Sequence, residues 1–306
     1  MSPHKPVLLK ESIEFLIRDG HGIYFDGTIG FGGHSEKFLE MSDASSRLIG
    51  VDKDKSAFDY CKKLFENDSR VRLYNTSFSN IDLISKIEFI ESFDVIFADL
   101  GVSSFQLDSK EAGFTFREDV PLDLRMNREE GLSAAELLNE FNEKEIADII
   151  FKYGEEKKSR KIASKIVERR KVSPIKSTYD LREIVAEITP EFYLNKSLSR
   201  VFQALRIYVN NELEDLKMFL EKSMPLLKQG GRIGIITFHS LEDRIVKEFF
   251  KYETLDCICP PESPVCVCDK QQRLKIITRK PVVAGENELK ENRRARSAKL
   301  RVAERV

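Results

Sequence analysis

The residues best placed to do chemistry in this chain are acids that stand at the ends of apolar runs. Ile23-Tyr24-Phe25 leads into Asp26, a turn follows through Gly27, Gly30, Gly32 and Gly33, and a second run from Arg47 ends in Asp52. Glycines let a backbone turn sharply and approach a ligand closely. A carboxylate at the tip of the second strand can accept both hydroxyls of a ribose. The turn keeps G-x-G at 30 and 32, but Thr28 stands where a dinucleotide fingerprint would hold another glycine. Asp26 beside it would repel a pyrophosphate and suits a cationic, amine-bearing ligand. S-adenosylmethionine carries a sulfonium and an ammonium and fits this better than a nicotinamide dinucleotide.

Such carboxylates need strands to present them. Residues 23–26, 47–52, 70–75 and 93–100 read as strands, and helical stretches near 34–41, 54–66 and 80–91 follow the first three. Continuous apolar strands alternating with helices predict a parallel sheet covered on both faces. From about 105 to 205 the pattern turns helical, over 133–151, 156–171, 178–188 and 198–209. The α/β rhythm resumes with an amphipathic helix over 211–227 and a buried strand over 232–239. Two late candidates, 273–279 and 298–303, suit an antiparallel edge pair. The expected architecture is α/β: a doubly wound, mostly parallel, Rossmann-like sheet over 1–104 and 206–306, with an inserted all-helical domain over 105–205.

Ligands in open α/β sheets bind outside the carboxyl ends of the strands. The residues to inspect there are Asp26, Asp52, Asn75 to Phe78, Asp99 to Ser104 and His239-Ser240. Phe78 offers an apolar plate for an adenine face, or is a core aromatic. Asp99 brings a carboxylate, a glycine bend at Gly101 and the hydroxyls of Ser103 and Ser104.

Composition narrows the class. The chain has 306 residues, 41% of them hydrophobic, enough for a substantial core. It holds no apolar run long enough to span a bilayer, and its opening M-S-P-H-K-P lacks a secretory h-region, which predicts a cytoplasmic protein without membrane contact. The formal net charge is −1, so no global field draws in a polyanion. Basic residues are grouped locally instead. Lys157 to Lys171 holds eight basic residues and one acid, including Lys157, Lys158, Arg160 and Lys161; Asn292 to Arg301 contains Arg293, Arg294 and Arg296. Either run alone reads equally as a solvated face. Together with a nucleoside cofactor they favour RNA, whose phosphates reward grouped cations.

Several long segments carry a specific resemblance. D-G-T-I-G-F-G-G-H-S at 26–35, D-L-G-V-S-S-F-Q-L-D at 99–108 and G-F-T-F-R-E-D-V-P-L-D-L-R-M at 113–126 are similar to signature segments of the ribosomal RNA small subunit methyltransferase H family, also called RsmH or MraW. So are F-Q-A-L-R-I-Y-V-N-N-E-L at 202–213, F-H-S-L-E-D-R-I-V-K at 238–247 and the closing N-R-R-A-R-S-A-K-L-R, in the same order from His4 to Arg305. The resemblance implies a class I S-adenosylmethionine-dependent methyltransferase acting on the N4 amino group of a cytidine in the decoding region of 16S rRNA. Its partner would be the small ribosomal subunit or an assembly intermediate of it. It also implies that Gly32, Gly33 and His34 surround the methionine end, Asp52 holds the ribose, Phe78 lies by the adenine, and Asp99 and Gln106 close the pocket. The resemblance is what nominates Gln106.

Transfer to an exocyclic amine asks mainly for positioning and for acceptors on the amine hydrogens. Asp99, or carbonyls around Leu100 and Gly101, can supply them. Phe105, Phe114 and Phe116 are candidates to stack on the target base, or core residues. His239 is either a proton acceptor or the cap of the helix that follows; Ser240 with Asp243 resembles an N-terminal helix signal. Cys257, Cys259, Cys266 and Cys268 form C-x-C-P-P-E-S-P-V-C-x-C, which is either a set of free thiols or a structural zinc site. At this level two other functions stay open: a nicotinamide-dependent oxidoreductase, and a non-enzymatic ribosome-assembly factor that binds RNA.

Overall fold

The computed structural model describes residues 5–18, 20–101, 113–262 and 265–306. The chain divides into two compact units, one made of Met1–Gly101 with Glu214–Val306, the other of Val102–Leu213.

The first unit is built on one seven-stranded sheet of order β3-β2-β1-β4-β5-β7-β6. Its strands are β1 (Ile23–Asp26), β2 (Arg47–Asp52), β3 (Val71–Asn75), β4 (Phe93–Asp99), β5 (Leu227–Thr237), β6 (Leu274–Ile276) and β7 (Lys299–Arg305). The first five run parallel, β7 runs antiparallel to β5, and β6 pairs antiparallel with β7. Strand order reverses beside β1: β2 lies on one flank and β4 on the other. The crevice at the carboxyl ends of β1 and β4 is therefore the switch point at which this architecture seats ligands.

Side-chain alternation explains why helices cover both faces. Tyr24, Val95 and Phe97 point into one core with Leu16, Phe38 and Cys61, contributed by α1 (Leu9–Leu16), α2 (Gly33–Glu40) and α3 (Lys55–Leu64). Phe25 and Ile96 point into the opposite core with Ile84, Phe219 and Val246. These come from α4 (Ile81–Ile87), the long helix Glu212–Leu226 and the helix Ser240–Glu253. This is the doubly wound, mostly parallel α/β sheet expected from the sequence.

One sheet detail departs from the sequence reading. β5 starts at Leu227, five residues earlier than expected, because Lys228 to Gly231 bulge out between Leu227, opposite Phe93, and Arg232, opposite Val95. Gly230 supplies the positive φ of 76° that the bulge requires. The two late candidates form the expected antiparallel pair at one edge of the sheet. β7 lies between β5 and β6, burying Leu300, Val302 and Ala303, and only the three-residue β6 is left at the rim.

The second unit is helical: α5 (Ala134–Glu140), α6 (Glu143–Gly154), α7 (Ser159–Arg170), α8 (Thr178–Ile188) and α9 (Glu191–Val209), followed by α10 (Glu212–Leu226), which leads back to the sheet. Ser133, Asn142 and Ser177 cap α5, α6 and α8 with reciprocal side-chain bonds from Glu136, Glu145 and Asp180. Helix α9 begins at Glu191 rather than near 198, since Pro190 is a natural start signal. The core of this unit joins Ile146, Ile150, Ile162, Ile166, Leu181, Val201 and Leu205. The extended segment before α5 contributes Phe114, Leu122 and Leu124 to the same core, and Phe116 packs on Phe202 with ring centroids 5.5 Å apart. Both aromatics are thus core residues of this unit. Phe105 lies outside the described residues.

Candidate active site at the strand tips

Backbone geometry brings three carboxylates to neighbouring strand ends. Asp26 closes β1, Asp99 closes β4 and Asp52 closes β2. The glycine-rich loop after β1 ties them together. Gly30 donates its N–H to Asp52 Oδ2 at 2.9 Å, and the N–H of Asp54 reaches Asp52 Oδ1 at 2.8 Å. Ser35 donates to Asp26 Oδ2 at 2.6 Å, and the N–H of Asp99 donates to Thr28 Oγ1 at 2.6 Å. Thr28 is therefore a strut between the loop and β4, a role available to a hydroxyl and closed to glycine. Gly32 takes φ 83° at the start of α2, a left-handed conformation that opens the helix N-terminus.

His34 is buried on the first turn of α2. Its Nε2 lies 3.0 Å from the carbonyl of Val7, so the ring donates there, and its Nδ1 faces Asp99 Oδ2 at 3.8 Å. The chain's own N-terminal segment crosses this loop. A Cβ on Gly33 would stand 2.3 Å from Pro6 Cγ, so the glycine is required by Pro6. Sequence reasoning missed Pro6, Val7, Thr28 and Ser35. Of these only Thr28 carried a signal, as the residue that broke the dinucleotide pattern.

The electrostatics are those of a crevice suited to positive charge. Burial raises the Asp26 carboxyl to about 6, against the pull of Ser35 and the Thr28 N–H. Burial raises Asp52 to about 7, and the carboxylates of Asp54 and Asp26 add to it. Asp99 is held well above the ordinary range by burial, then by the charges of Asp26 and Glu242. Among the described residues Asp99 Oδ1 is buried without a hydrogen-bond partner. An orphaned acceptor of this kind is costly unless a ligand satisfies it. Phe78 sits just after β3, partly buried and edge-on to Phe219 at 5.0 Å. Beside it, Asp215 receives Ser77 Oγ at 2.9 Å and the ammonium of Lys53. Gln106, Ser103 and Ser104 lie outside the described residues.

A model of the MraW methylase family matches residues 1–306 of the chain. The chain belongs to the MraW methylase family. It is 46% identical over 307 residues to the ribosomal RNA small subunit methyltransferase H of Caldicellulosiruptor saccharolyticus, covering all of both chains. It is 46% identical over 309 residues to the protein of the same name from Halothermothrix orenii, covering 100% of this chain and 99% of that one. A crystal structure of a putative rRNA-methylase from Clostridium thermocellum is similar at a TM-score of 0.45 and 15% identity, over 99% of each chain.

In this MraW-family chain His239 is the N-cap of α11 (Ser240–Glu253). Its Nδ1 accepts the N–H of Glu242 at 3.4 Å, and the Glu242 carboxylate in return accepts the N–H groups of Phe238 and His239. The cap thus lies one residue earlier than the Ser240–Asp243 signal suggested. Asp243 is committed elsewhere: Arg301 at 2.6 Å and Lys299 at 3.1 Å hold its carboxyl below the usual range.

The basic runs divide by partner. In the second unit Arg170 donates to the carbonyls of Leu138 and Phe141, Arg169 pairs with Glu183, and Lys158 reaches the carbonyl of Ile188. Lys157, Arg160 and Lys161 stay exposed at the start of α7. In the first unit Arg293 and Arg296 are exposed on a short turn anchored by buried Ala295, and Arg294 is half-buried. The four cysteines Cys257, Cys259, Cys266 and Cys268 lie together on the segment between α11 and β6. No helix among the described residues is long and apolar enough to cross a membrane.

Proposed function

We propose that this methyltransferase binds S-adenosylmethionine in the crevice at the ends of β1, β2 and β4 and methylates the N4 amino group of a cytidine in the decoding region of 16S rRNA. The observation that carries the reading is the set of three strand-tip carboxylates, Asp26, Asp52 and Asp99. Among the described residues none of them is paired with a lysine or arginine. A ligand with a sulfonium, an ammonium and a ribose diol meets that set on all counts. A pyrophosphate meets it on none, which disfavours a nicotinamide cofactor.

In this reading Asp52 accepts the ribose hydroxyls, Gly32, Gly33 and His34 frame the methionine end, and Phe78 and Gln106 complete the pocket. The donor supplies an electrophilic methyl group on a positively charged sulfur. The protein's part is positioning and charge. The cytosine amine is a poor nucleophile because its lone pair is delocalised into the ring. Asp99 Oδ1 accepts one amine hydrogen, which localises the lone pair on nitrogen. Once the methyl is on nitrogen, one amine proton must leave. A carboxylate of raised pKa is a suitable acceptor for it, with His34 Nδ1 next in line. The exposed cations of α7 and of the Arg293–Arg296 turn grip RNA phosphates, and the helical unit serves RNA recognition. The substrate RNA is that of the small ribosomal subunit or its precursor.

Calorimetric titration tests the pocket. S-adenosylmethionine and S-adenosylhomocysteine bind with a 1:1 stoichiometry and NAD does not; binding of NAD instead would overturn the assignment.

A further inference from the structure

The four-cysteine segment plays no part in the chemistry above, yet its geometry is specific. Cys257 Sγ lies 3.6 Å from Cys266 Sγ, Cys259 from Cys266 3.9 Å, Cys266 from Cys268 3.7 Å, and Cys268 from Cys257 3.8 Å. All four sulfurs lie within 4.8 Å of one another. A tetrahedron with metal–sulfur bonds of about 2.3 Å has sulfur–sulfur edges of about 3.8 Å. None of these separations is near the ~2.05 Å of a disulfide, and the four thiols are free.

We propose that Cys257, Cys259, Cys266 and Cys268 bind one zinc ion as a structural tetrathiolate site. Each thiol gives up its proton to solvent as its sulfur takes a bond to the metal. Backbone amides already point at the sulfurs that would carry the charge: Ile258 N–H to Cys268 at 3.3 Å, Val267 N–H to Cys259 at 3.3 Å, and Cys259 N–H to Cys257 at 3.4 Å. Such donors support thiolate ligands as second partners.

A second observation says why the segment needs a staple. Its ends are clamped by buried Glu253, which takes Arg273 Nε at 2.6 Å and Lys270 Nζ at 3.3 Å. Between those ends no described residue is buried, and Ile258, Val265 and Val267 are exposed by 49%, 70% and 84%. A loop with no core of its own cannot offset the entropy of ordering by packing. A metal bond supplies that energy directly. Each C-x-C pair contributes two sulfurs to the one cluster.

The test is elemental analysis of the full chain purified under reducing conditions without chelator. One zinc per chain is expected, with loss in Cys257→Ser/Cys266→Ser and unchanged S-adenosylhomocysteine affinity in that variant. Should the variant fold poorly, the demetallated wild-type chain is titrated with Co²⁺, and thiolate-to-cobalt charge transfer with the intense bands of a tetrahedral site is expected. A metal-free chain with four titratable thiols and no such cobalt spectrum would overturn the proposal, as would stoichiometric iron or a pair of disulfides.

Discussion

His34 presents Nδ1 to Asp99 Oδ2 across 3.8 Å while its Nε2 is held by the carbonyl of Val7 at 3.0 Å. The tautomer is thereby fixed, because the proton on Nε2 is used and the lone pair on Nδ1 faces the carboxyl. With Asp99 raised by burial, one proton has two neighbouring seats. Replacing Asp99 with Asn keeps the shape and removes both the acceptor charge and the base. Asp99→Asn is expected to lower kcat about 10²- to 10⁴-fold, the range for losing a positioned general base. Single-turnover methyl transfer at saturating donor measures it, and an unchanged rate would exclude Asp99 from the chemistry.

His239 serves as the contrast. Its ring caps α11, so His239→Ala is expected to lower stability by about 1 kcal/mol, as for loss of other N-caps. The rate per folded enzyme should hold. His239→Asn, which keeps a capping oxygen, should restore the stability. Chemical denaturation and kcat measured side by side separate the roles; a large fall in kcat at unchanged stability would make His239 catalytic.

Donor binding should be tied to pH with a definite sign. Asp52 at about 7 and Asp26 at about 6 are partly protonated in the free protein near neutrality, and only their charged forms attract a sulfonium. Affinity for S-adenosylmethionine is expected to weaken as pH falls from 8 to 6. S-adenosylhomocysteine, which lacks the sulfonium, should weaken less over the same range. Stability of the free protein runs the other way. Both carboxyls are raised from an ordinary 3.8, so the folded chain holds protons that the unfolded chain has released. Their stabilising contribution is complete below about pH 4 and is lost as pH rises through 6 and 7. Thermal melts of the wild type and Asp52→Asn across that window test this, the variant losing less.

Asp52→Asn should also weaken the donor about 10- to 100-fold, the cost of one or two charge-assisted hydrogen bonds. NAD binding would remain absent. Calorimetry at pH 8 reads the effect directly, and an unchanged Kd would remove Asp52 from the ribose.

The two kinds of basic residue should behave differently. Arg293→Ala/Arg296→Ala and Lys157→Ala/Arg160→Ala/Lys161→Ala are expected to weaken RNA binding, and removing each phosphate-binding cation should reduce the salt slope by about 0.7–0.9. Arg301→Ala instead breaks a buried pair with Asp243 and should destabilise the fold. Filter binding over a salt series checks the first; denaturation checks the second.

The sheet was legible because hydrophobic runs ending in Asp26, Asp52 and Asp99 follow directly from parallel strands covered on both faces. What escaped detection depends on distant partners. Pro6 and Val7 lie close to the glycine-rich turn only once α1 is packed, and nothing local marks them. The cations of 292–301 read as a solvated face or an RNA-binding run, although 298–303 also read as a strand; which of them are spent inside the fold was not legible. In the fold Ala298, Leu300 and Val302 enter the core, and Lys299 and Arg301 turn to Asp243. Of the two readings open for His239, the fold shows the cap of α11, and its reciprocal acid is Glu242, one residue before the Asp243 that the pattern suggested.

The most direct test is nucleoside mass mapping after incubating small ribosomal subunits lacking this modification with methyl-labelled S-adenosylmethionine. The crevice account predicts label on N4 of one cytidine in 16S rRNA, abolished by Asp99→Asn. Label on a ring carbon or a ribose hydroxyl, or RNA that binds and stays unlabelled, would contradict it.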